Sequence, residues 1–271
     1  MGRLMKAAEE WKPSKFVLKN GKLLPSDDPA ELGIGSRIVA ECMAAQYQRA
    51  ILEFAHGKLL DLGCGKVPLY AVYRDLVDDA VCVDWQSGLH GSKHVDFFRD
   101  LNADLELPSD SFDTVILSDV LEHIRQPEKL IGQVHKLLRT NGVAILGVPF
   151  FYWIHEEPHD FFRYTKFALA GMVEDAGFEV CYLEETGGAP EILADLAGKL
   201  MSPVPIVQKS FVRCARMMRR TSLAKRLTAR TRVRFPLGYL LVARKLSANG
   251  KTNLEKIEER VRASSRIPNV E

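Results

Sequence analysis

The chain has 271 residues, 46% of them hydrophobic and 27% charged, which excludes a wholly disordered polypeptide, a collagen and a disulfide miniprotein. The net charge is only +2, yet ten Lys/Arg and no Asp/Glu fall between Lys209 and Arg234, so a mildly acidic body of about −8 carries one strongly basic segment. The five cysteines (Cys42, Cys64, Cys82, Cys181 and Cys214) show no CxxC spacing, which points to reduced thiols in a cytoplasmic protein. The opening MGRLMKAAEEWKPSK has no apolar run, so no signal peptide is expected. The longest uncharged apolar stretch, Val143 to Ile154, is shorter than the ~20 residues of a membrane span.

In chain order, residues 1–35 read as an N-terminal arm with little regular structure, punctuated by Pro13, Pro25, Pro29, Gly33 and Gly35. Ser36 stands as an N-cap before a helix carrying Ile38, Val39, Met43, Tyr47, Ala50, Ile51 and Phe54 at helical spacing and closing at Gly57. Short apolar runs then alternate with helices. The predicted strands are Leu59–Leu62, Ala80–Val83, His94–Phe98, Thr114–Leu117, Val143–Val148 and Phe178–Leu183. Between the fourth and fifth, Pro127 opens a helix with a Leu130, Ile131, Val134, Leu137 and Leu138 stripe, which Asn141-Gly142 should stop. Thr165 caps another helix that runs to Ala176-Gly177. Residues 187–235 interrupt the rhythm with prolines and the basic stretch, as an excursion expected to lid the pocket. Residues 236–245 read as a last strand. The tail, 247–271, is expected to hold one short amphipathic helix. Strands buried on both faces and alternating with helices imply an α/β fold, an open and mostly parallel sheet with helices on both faces.

The first strand ends in Asp61-Leu62-Gly63-Cys64-Gly65. Two glycines one residue apart let the backbone turn sharply and approach a ligand closely. Asp84 ends the second strand 23 residues after Asp61, where a carboxylate can hold ribose hydroxyls or simply cap the strand end. The pyrophosphate fingerprint G-x-G-x-x-G is incomplete. Lys66, Val67 and Pro68 follow Gly65, and Pro68 lacks an N–H. A nucleoside without pyrophosphate therefore fits better than a dinucleotide.

With these motifs in this order, the sequence resembles the class I S-adenosylmethionine-dependent methyltransferases, over residues 36–186 and again over 236–245. LLDLGCGKVP resembles the family's methionine-binding motif and VCVDW its acidic second strand end. DLNADLELPSDSFDTVILSDVLEHI is similar to the adenine-contacting segment and fourth strand, and LLRTNGVAILGVP to the fifth. The resemblance implies a Rossmann-like, seven-stranded sheet in a methyltransferase domain spanning 36–246, with the last strand antiparallel beside the fifth. It implies S-adenosylmethionine as cofactor. In that reading Asp61 orients the glycine loop and the cofactor's amino end, and Gly63, Cys64 and Gly65 give backbone contact. Asp84 accepts the ribose hydroxyls, and Trp85 lies on the adenine face. Asp100 and the Leu101 amide bond the adenine, and Ser118 faces the sulfonium. His123 either lines the pocket or caps a helix.

After the fifth strand, residues 150–164 combine large aromatics with His155, His159, Asp160, Arg163 and Tyr164, the candidate catalytic groups. His155-Glu156-Glu157-Pro158-His159 formally matches H-E-x-x-H. That zinc motif requires a continuous helix, which Pro158 interrupts, so no metal site is expected. A hydroxyl acceptor must lose a proton, and a neutral histidine oriented by a carboxylate suits that task. His155 or His159 is the expected base, with Asp160 its orienter. PHDFFRYT resembles a subgroup associated with bacterial polysaccharide and lipopolysaccharide synthesis. The resemblance thus implies O-methylation of a sugar hydroxyl on a glycan or glycolipid precursor, with a quinone-like or other small molecule as the alternative. RNA methylation and a non-catalytic cofactor-binding module are the remaining readings. The basic segment 209–234 is either a solvated helical face or a peripheral contact with anionic membrane. The lack of an aromatic stacking pattern there disfavours nucleic acid.

Overall fold

A computed structural model describes residues 5–86 and 93–247. The amphipathic helix expected in the tail lies outside these residues. The N-terminal segment is more ordered than its composition suggests. Phe16–Lys19 (β1) and Lys22–Pro25 (β2) pair antiparallel across Asn20-Gly21, both at positive φ (50° and 72°). Asn-Gly is the dipeptide that tolerates this tight hairpin turn. Phe16 and Leu23 are buried in the same core cluster as Tyr47 and Ile51.

Arg37–Phe54 (α1) follows the predicted apolar stripe, but Ser36 does not cap it. Its backbone is already helical and its hydroxyl instead meets the Tyr152 hydroxyl at 2.9 Å. The central sheet comprises Lys58–Leu62 (β3), Asp79–Asp84 (β4), Phe97–Phe98 (β5), Phe112–Ser118 (β6), Leu138–Pro149 (β7), Phe178–Thr186 (β8) and Gly238–Lys245 (β9). The strand order is β5-β4-β3-β6-β7-β9-β8, parallel except for β9, which inserts antiparallel between β7 and β8. This is the α/β architecture expected. The third strand is shorter than predicted, since only Phe97 and Phe98 pair with the end of β4.

Alternation along the strands divides the core into two layers. Leu60, Leu62, Val115, Leu117 and Leu146 face one side, where Leu130, Ile131 and Val134 of Pro127–Leu137 (α3) and Leu169 and Val173 of Lys166–Asp175 (α4) pack. Leu59, Ile116 and Ile145 face the other, against α1 and the short helix Tyr70–Tyr73 (α2). Pro127 occupies the first turn of α3, and the Thr165 hydroxyl caps α4 by accepting from the Ala168 N–H at 3.2 Å. Asn141-Gly142 does not stop α3. That helix ends at Leu137, and Asn141 (φ 66°) lies in an irregular start of β7, where the register jumps between Phe112 and Thr114.

Between β8 and β9 the excursion is helical: Ala189–Leu200 (α5), Pro205–Met218 (α6) and Ser222–Thr231 (α7). Its arginines are not all solvated. Arg216 reaches Glu41 (2.8 Å), Arg219 reaches Glu191 (3.1 Å) and Arg232 reaches Glu184 (3.5 Å), so part of the basic segment ties the helices to the body. Among the described residues no helix is long and apolar enough to cross a membrane.

Candidate functional site

Two half-sites open along the C-terminal ends of the parallel strands, where ligands bind in open α/β sheets. The first is built largely by backbone. Gly63 (φ 70°) turns the chain beyond β3, and its N–H donates to the Val83 carbonyl at 2.8 Å. A Cβ at this position would lie 2.5 Å from Val120 Cγ2, so only glycine closes the turn. The Asp84 carboxylate accepts from the Gly65 N–H (2.7 Å) and from the Trp85 N–H (2.7 Å), fixing it beside the loop. Asp61 is 2% exposed. The Tyr73 hydroxyl donates to its Oδ2 at 3.3 Å, while its buried Oδ1 has no hydrogen-bond partner. Burial, reinforced by the Asp84 charge, pushes the Asp61 carboxyl up to about 7. Hydrogen bonding with Cys82 and burial hold the Cys64 thiol well above its ordinary value, so this cysteine offers backbone and packing, not a nucleophile.

The structure places the remaining cofactor-side candidates unevenly. Trp85 is half exposed and meets the His159 ring edge-on at 5.3 Å. Asp100 Oδ1 accepts from the Asn102 backbone (2.9 Å) and side chain (3.2 Å), a local turn, with the Leu101 side chain packed beneath. Ser118 ends β6 opposite Gly147 of β7. His123 stands away from the glycine loop, within the second half-site.

That second half-site is a cavity of about 180 Å³. Apolar side chains from α1 (Val39, Ala40, Met43) form one wall, while Val148 and Leu237 flank the strand ends. Its polar bank comprises Lys15, Asp119, Glu122, His123 and His155. Lys15 Nζ lies 2.8 Å from Asp119 Oδ2. The Tyr47 hydroxyl reaches toward Asp119 Oδ1 (3.4 Å) across Gly147, where a Cβ would stand 1.7 Å from the hydroxyl oxygen. Glu122 is fully buried, neither carboxylate oxygen has a hydrogen-bond partner, and burial, reinforced by Asp119, raises its carboxyl well above the ordinary value.

The 150–164 loop separates its two histidines. His155 turns to the cavity. Its Nε2 lies 3.8 Å from Glu122 Oε1 and its Nδ1 3.2 Å from Asp160 Oδ2, a close approach short of hydrogen-bond geometry. The His155 N–H donates to the same Asp160 oxygen at 3.0 Å. Burial, then the neighbouring His123, lowers the affinity of His155 for a proton, so its ring is neutral at pH 7. His159 instead packs on Trp85 and Phe161, and its carbonyl accepts from His123 Nδ1 at 2.8 Å. Of the two candidate bases, His155 alone is brought to Asp160 and to the cavity.

Arg163 and Tyr164, expected among the catalytic groups, hold the loop in place. Arg163 forks onto both Asp160 oxygens (2.5 and 2.7 Å) and donates to the Trp153 carbonyl at 3.0 Å. Burial opposes ionisation of Asp160, but the Arg163 and His155 N–H groups outweigh it and hold the carboxyl down to about 2. The buried Tyr164 donates its hydroxyl proton to the Leu121 carbonyl at 2.8 Å, beyond the cavity wall. Sequence reasoning missed Lys15, Asp119 and Glu122. The latter two follow β6 directly within SDVLEHI and were within reach, whereas Lys15 arrives from 104 residues before Asp119 with no local signal.

This geometry, a glycine turn and acidic strand end beside a polar pocket, fits a nucleoside-dependent group-transfer enzyme. Residues 37–183 match the sequence profile of a family described as "Methyltransferase domain", and the chain belongs to that family. The ubiquinone biosynthesis O-methyltransferase of Cereibacter sphaeroides is 27% identical over 203 residues, covering 64% of this chain and 78% of that protein. The enzyme of the same description from Xanthomonas oryzae is 30% identical over 111 residues, 37% of this chain and 46% of its own. A solved SAM-dependent methyltransferase from Archaeoglobus fulgidus superposes with a TM-score of 0.50 at 18% identity, covering 74% and 92% of the two chains. The protein is a methyltransferase whose cofactor is S-adenosylmethionine. The first half-site suits that cofactor, because Asp61 leaves one buried oxygen unpartnered and the Gly63 cradle admits no side chain.

Proposed function

We propose that the chain methylates a hydroxyl oxygen of a small organic molecule held in the second half-site. The observation that carries this is His155: neutral, backed by Asp160 at 3.2 Å, with its other nitrogen toward the cavity. Asp61, the Gly63–Gly65 loop, Asp84, Trp85, Asp100, Leu101 and Ser118 would hold the cofactor, which supplies an electrophilic methyl group on sulfur. Displacement at such a carbon asks the protein chiefly for alignment and exclusion of water. The proton of the acceptor hydroxyl passes to His155 Nε2, and Asp160 steadies the imidazolium that forms. Glu122 and the Lys15–Asp119 pair offer polar anchors for the rest of the acceptor. The relatives' description as O-methyltransferases of ubiquinone biosynthesis supports oxygen as the acceptor atom and a small molecule as its carrier.

Within that class a sugar hydroxyl of a glycan or glycolipid precursor is the second reading, favoured by the Tyr152 ring in the wall beside the polar bank. Phe151, Trp153 and Ile154 point outward and give such a ring no platform inside. On this reading the acceptor is met at the cytoplasmic face of a membrane, where Lys209, Arg213 and Arg226 and the exposed Leu193, Leu200 and Ile206 make a peripheral contact. The test is transfer of isotopically labelled methyl groups to fractionated cell extracts. Label in ethers of hydroxylated small molecules is expected. Label confined to RNA, protein or nitrogen atoms would contradict the proposal.

A further inference from the structure

The two cavity histidines are turned alike, although only His123 is held through its Nδ1 by a hydrogen bond. His123 Nδ1 faces the His159 carbonyl at 2.8 Å, and since a carbonyl only accepts, Nδ1 carries the proton and Nε2 the lone pair. His155 Nδ1 faces Asp160, again leaving Nε2 for the cavity. Both Nε2 atoms then converge on one carboxylate, each 3.8 Å from Glu122 Oε1. Binding one ring nitrogen to a carbonyl or carboxylate and offering the other is how proteins orient histidines toward metals. Glu122 is 0% exposed, and both its oxygens lack a hydrogen-bond partner. The donor atoms of Glu122, His123 and His155 lie within 4.8 Å of one another. Ligands around a tetrahedral ion at ~2.0–2.2 Å stand roughly 3.3–3.6 Å apart. The two imidazole–carboxylate separations of 3.8 Å need to close by a few tenths of an ångström, and the widest donor pair, within 4.8 Å, by roughly one ångström through rotation of the His155 loop side chain.

We propose that Glu122, His123 and His155 bind one divalent transition-metal ion at the edge of the acceptor cavity. Two imidazoles and a carboxylate suit zinc, manganese or iron better than calcium or magnesium. This is a different constellation from the H-E-x-x-H reading, because only His155 of that pair takes part and both partners come from the segment after β6. The inference rests on the proposed acceptor site for its location, and it makes the bound ion an inhibitor of that reaction: with His155 Nε2 on the metal, the acceptor's proton has no base to receive it, and transfer proceeds only in the metal-free site.

The test is calorimetric titration of the full chain, stripped of metal, with zinc chloride and with manganese chloride, reading binding without methyl transfer. One equivalent of zinc with micromolar or tighter affinity is expected, weakened at least about 100-fold in Glu122→Gln and His155→Asn and about 10–100-fold in Asp160→Asn. S-adenosylhomocysteine binding by the same samples reports that each variant is folded, and its loss in the wild type would contradict the methyltransferase reading without touching the metal result. Should Glu122→Gln not fold, His155→Asn on the surface loop gives the same answer. Absence of one-to-one zinc binding, or equal affinity in the folded variants, would overturn the proposal.

Discussion

The two half-sites are built by different means. The cofactor half is made of backbone turns within one β-α-β unit, in which the Gly63 N–H donates to the Val83 carbonyl and the Gly65 and Trp85 N–H groups donate to the Asp84 carboxylate. The acceptor half is assembled by long-range contacts. Lys15 and Tyr47 meet Asp119, His155 meets Glu122, and Lys199 of α5 sits 3.7 Å over the Tyr152 ring. Backbone turns serve one constant ligand, whereas side chains drawn from hairpin, helix and loop can change with the acceptor.

Changes that strike one half and spare the other sharpen this contrast. Asp84→Ala removes the carboxylate that organises the glycine loop, and should weaken S-adenosylhomocysteine binding about 100-fold in calorimetry, since hydrogen bonds to charged groups contribute ~1.5–3 kcal/mol each. Zinc binding by that variant should persist. In the other half, Gly147→Ala forces a methyl group against the Tyr47 hydroxyl. Overpacking of this kind costs about 1–3 kcal/mol, read as a lower midpoint of thermal unfolding.

Asp61 gives the cofactor half a pH dependence. Because burial raises its carboxyl in the folded state to about 7, holding it ionised lowers stability as pH climbs from its unfolded value toward 7. A cationic cofactor amino group needs the ionised form, so affinity should fall as pH drops below about 7, roughly tenfold per unit. Asp61→Asn should bind more weakly and without that slope, and a flat wild-type profile from pH 5.5 to 8 would refute the assignment. The smallest effect concerns the surface. On the second reading, with its membrane-bound acceptor, Arg213→Gln should weaken co-sedimentation with phosphatidylserine vesicles about fivefold, the equivalent of ~1 kcal/mol per juxtamembrane cation. Arg219→Gln, which breaks the bond to Glu191, should lower thermal stability instead.

Legibility in the sequence follows the same division. The strands and the glycine loop could be read because burial period and local turn chemistry write them into contiguous residues, whereas the antiparallel direction of the last strand came only from the family resemblance. The hairpin was equally local, since Asn20-Gly21 is its signal, but surrounding prolines obscured it. Asp160, Arg163 and His155 could be named from their loop. Which histidine Asp160 approaches, and that Arg163 serves the loop, depend on how the chain folds back across Glu122. Lys15 joins the site only through the hairpin's docking on α1, which no spacing encodes.

The central claim is that His155 takes the acceptor's proton while the other half-site holds the cofactor. Single-turnover methyl transfer by His155→Ala, with S-adenosylhomocysteine affinity measured on the same preparation, tests it most directly. A rate reduced about 100-fold or more with unchanged cofactor affinity is predicted. Wild-type turnover in a folded His155→Ala protein would contradict it.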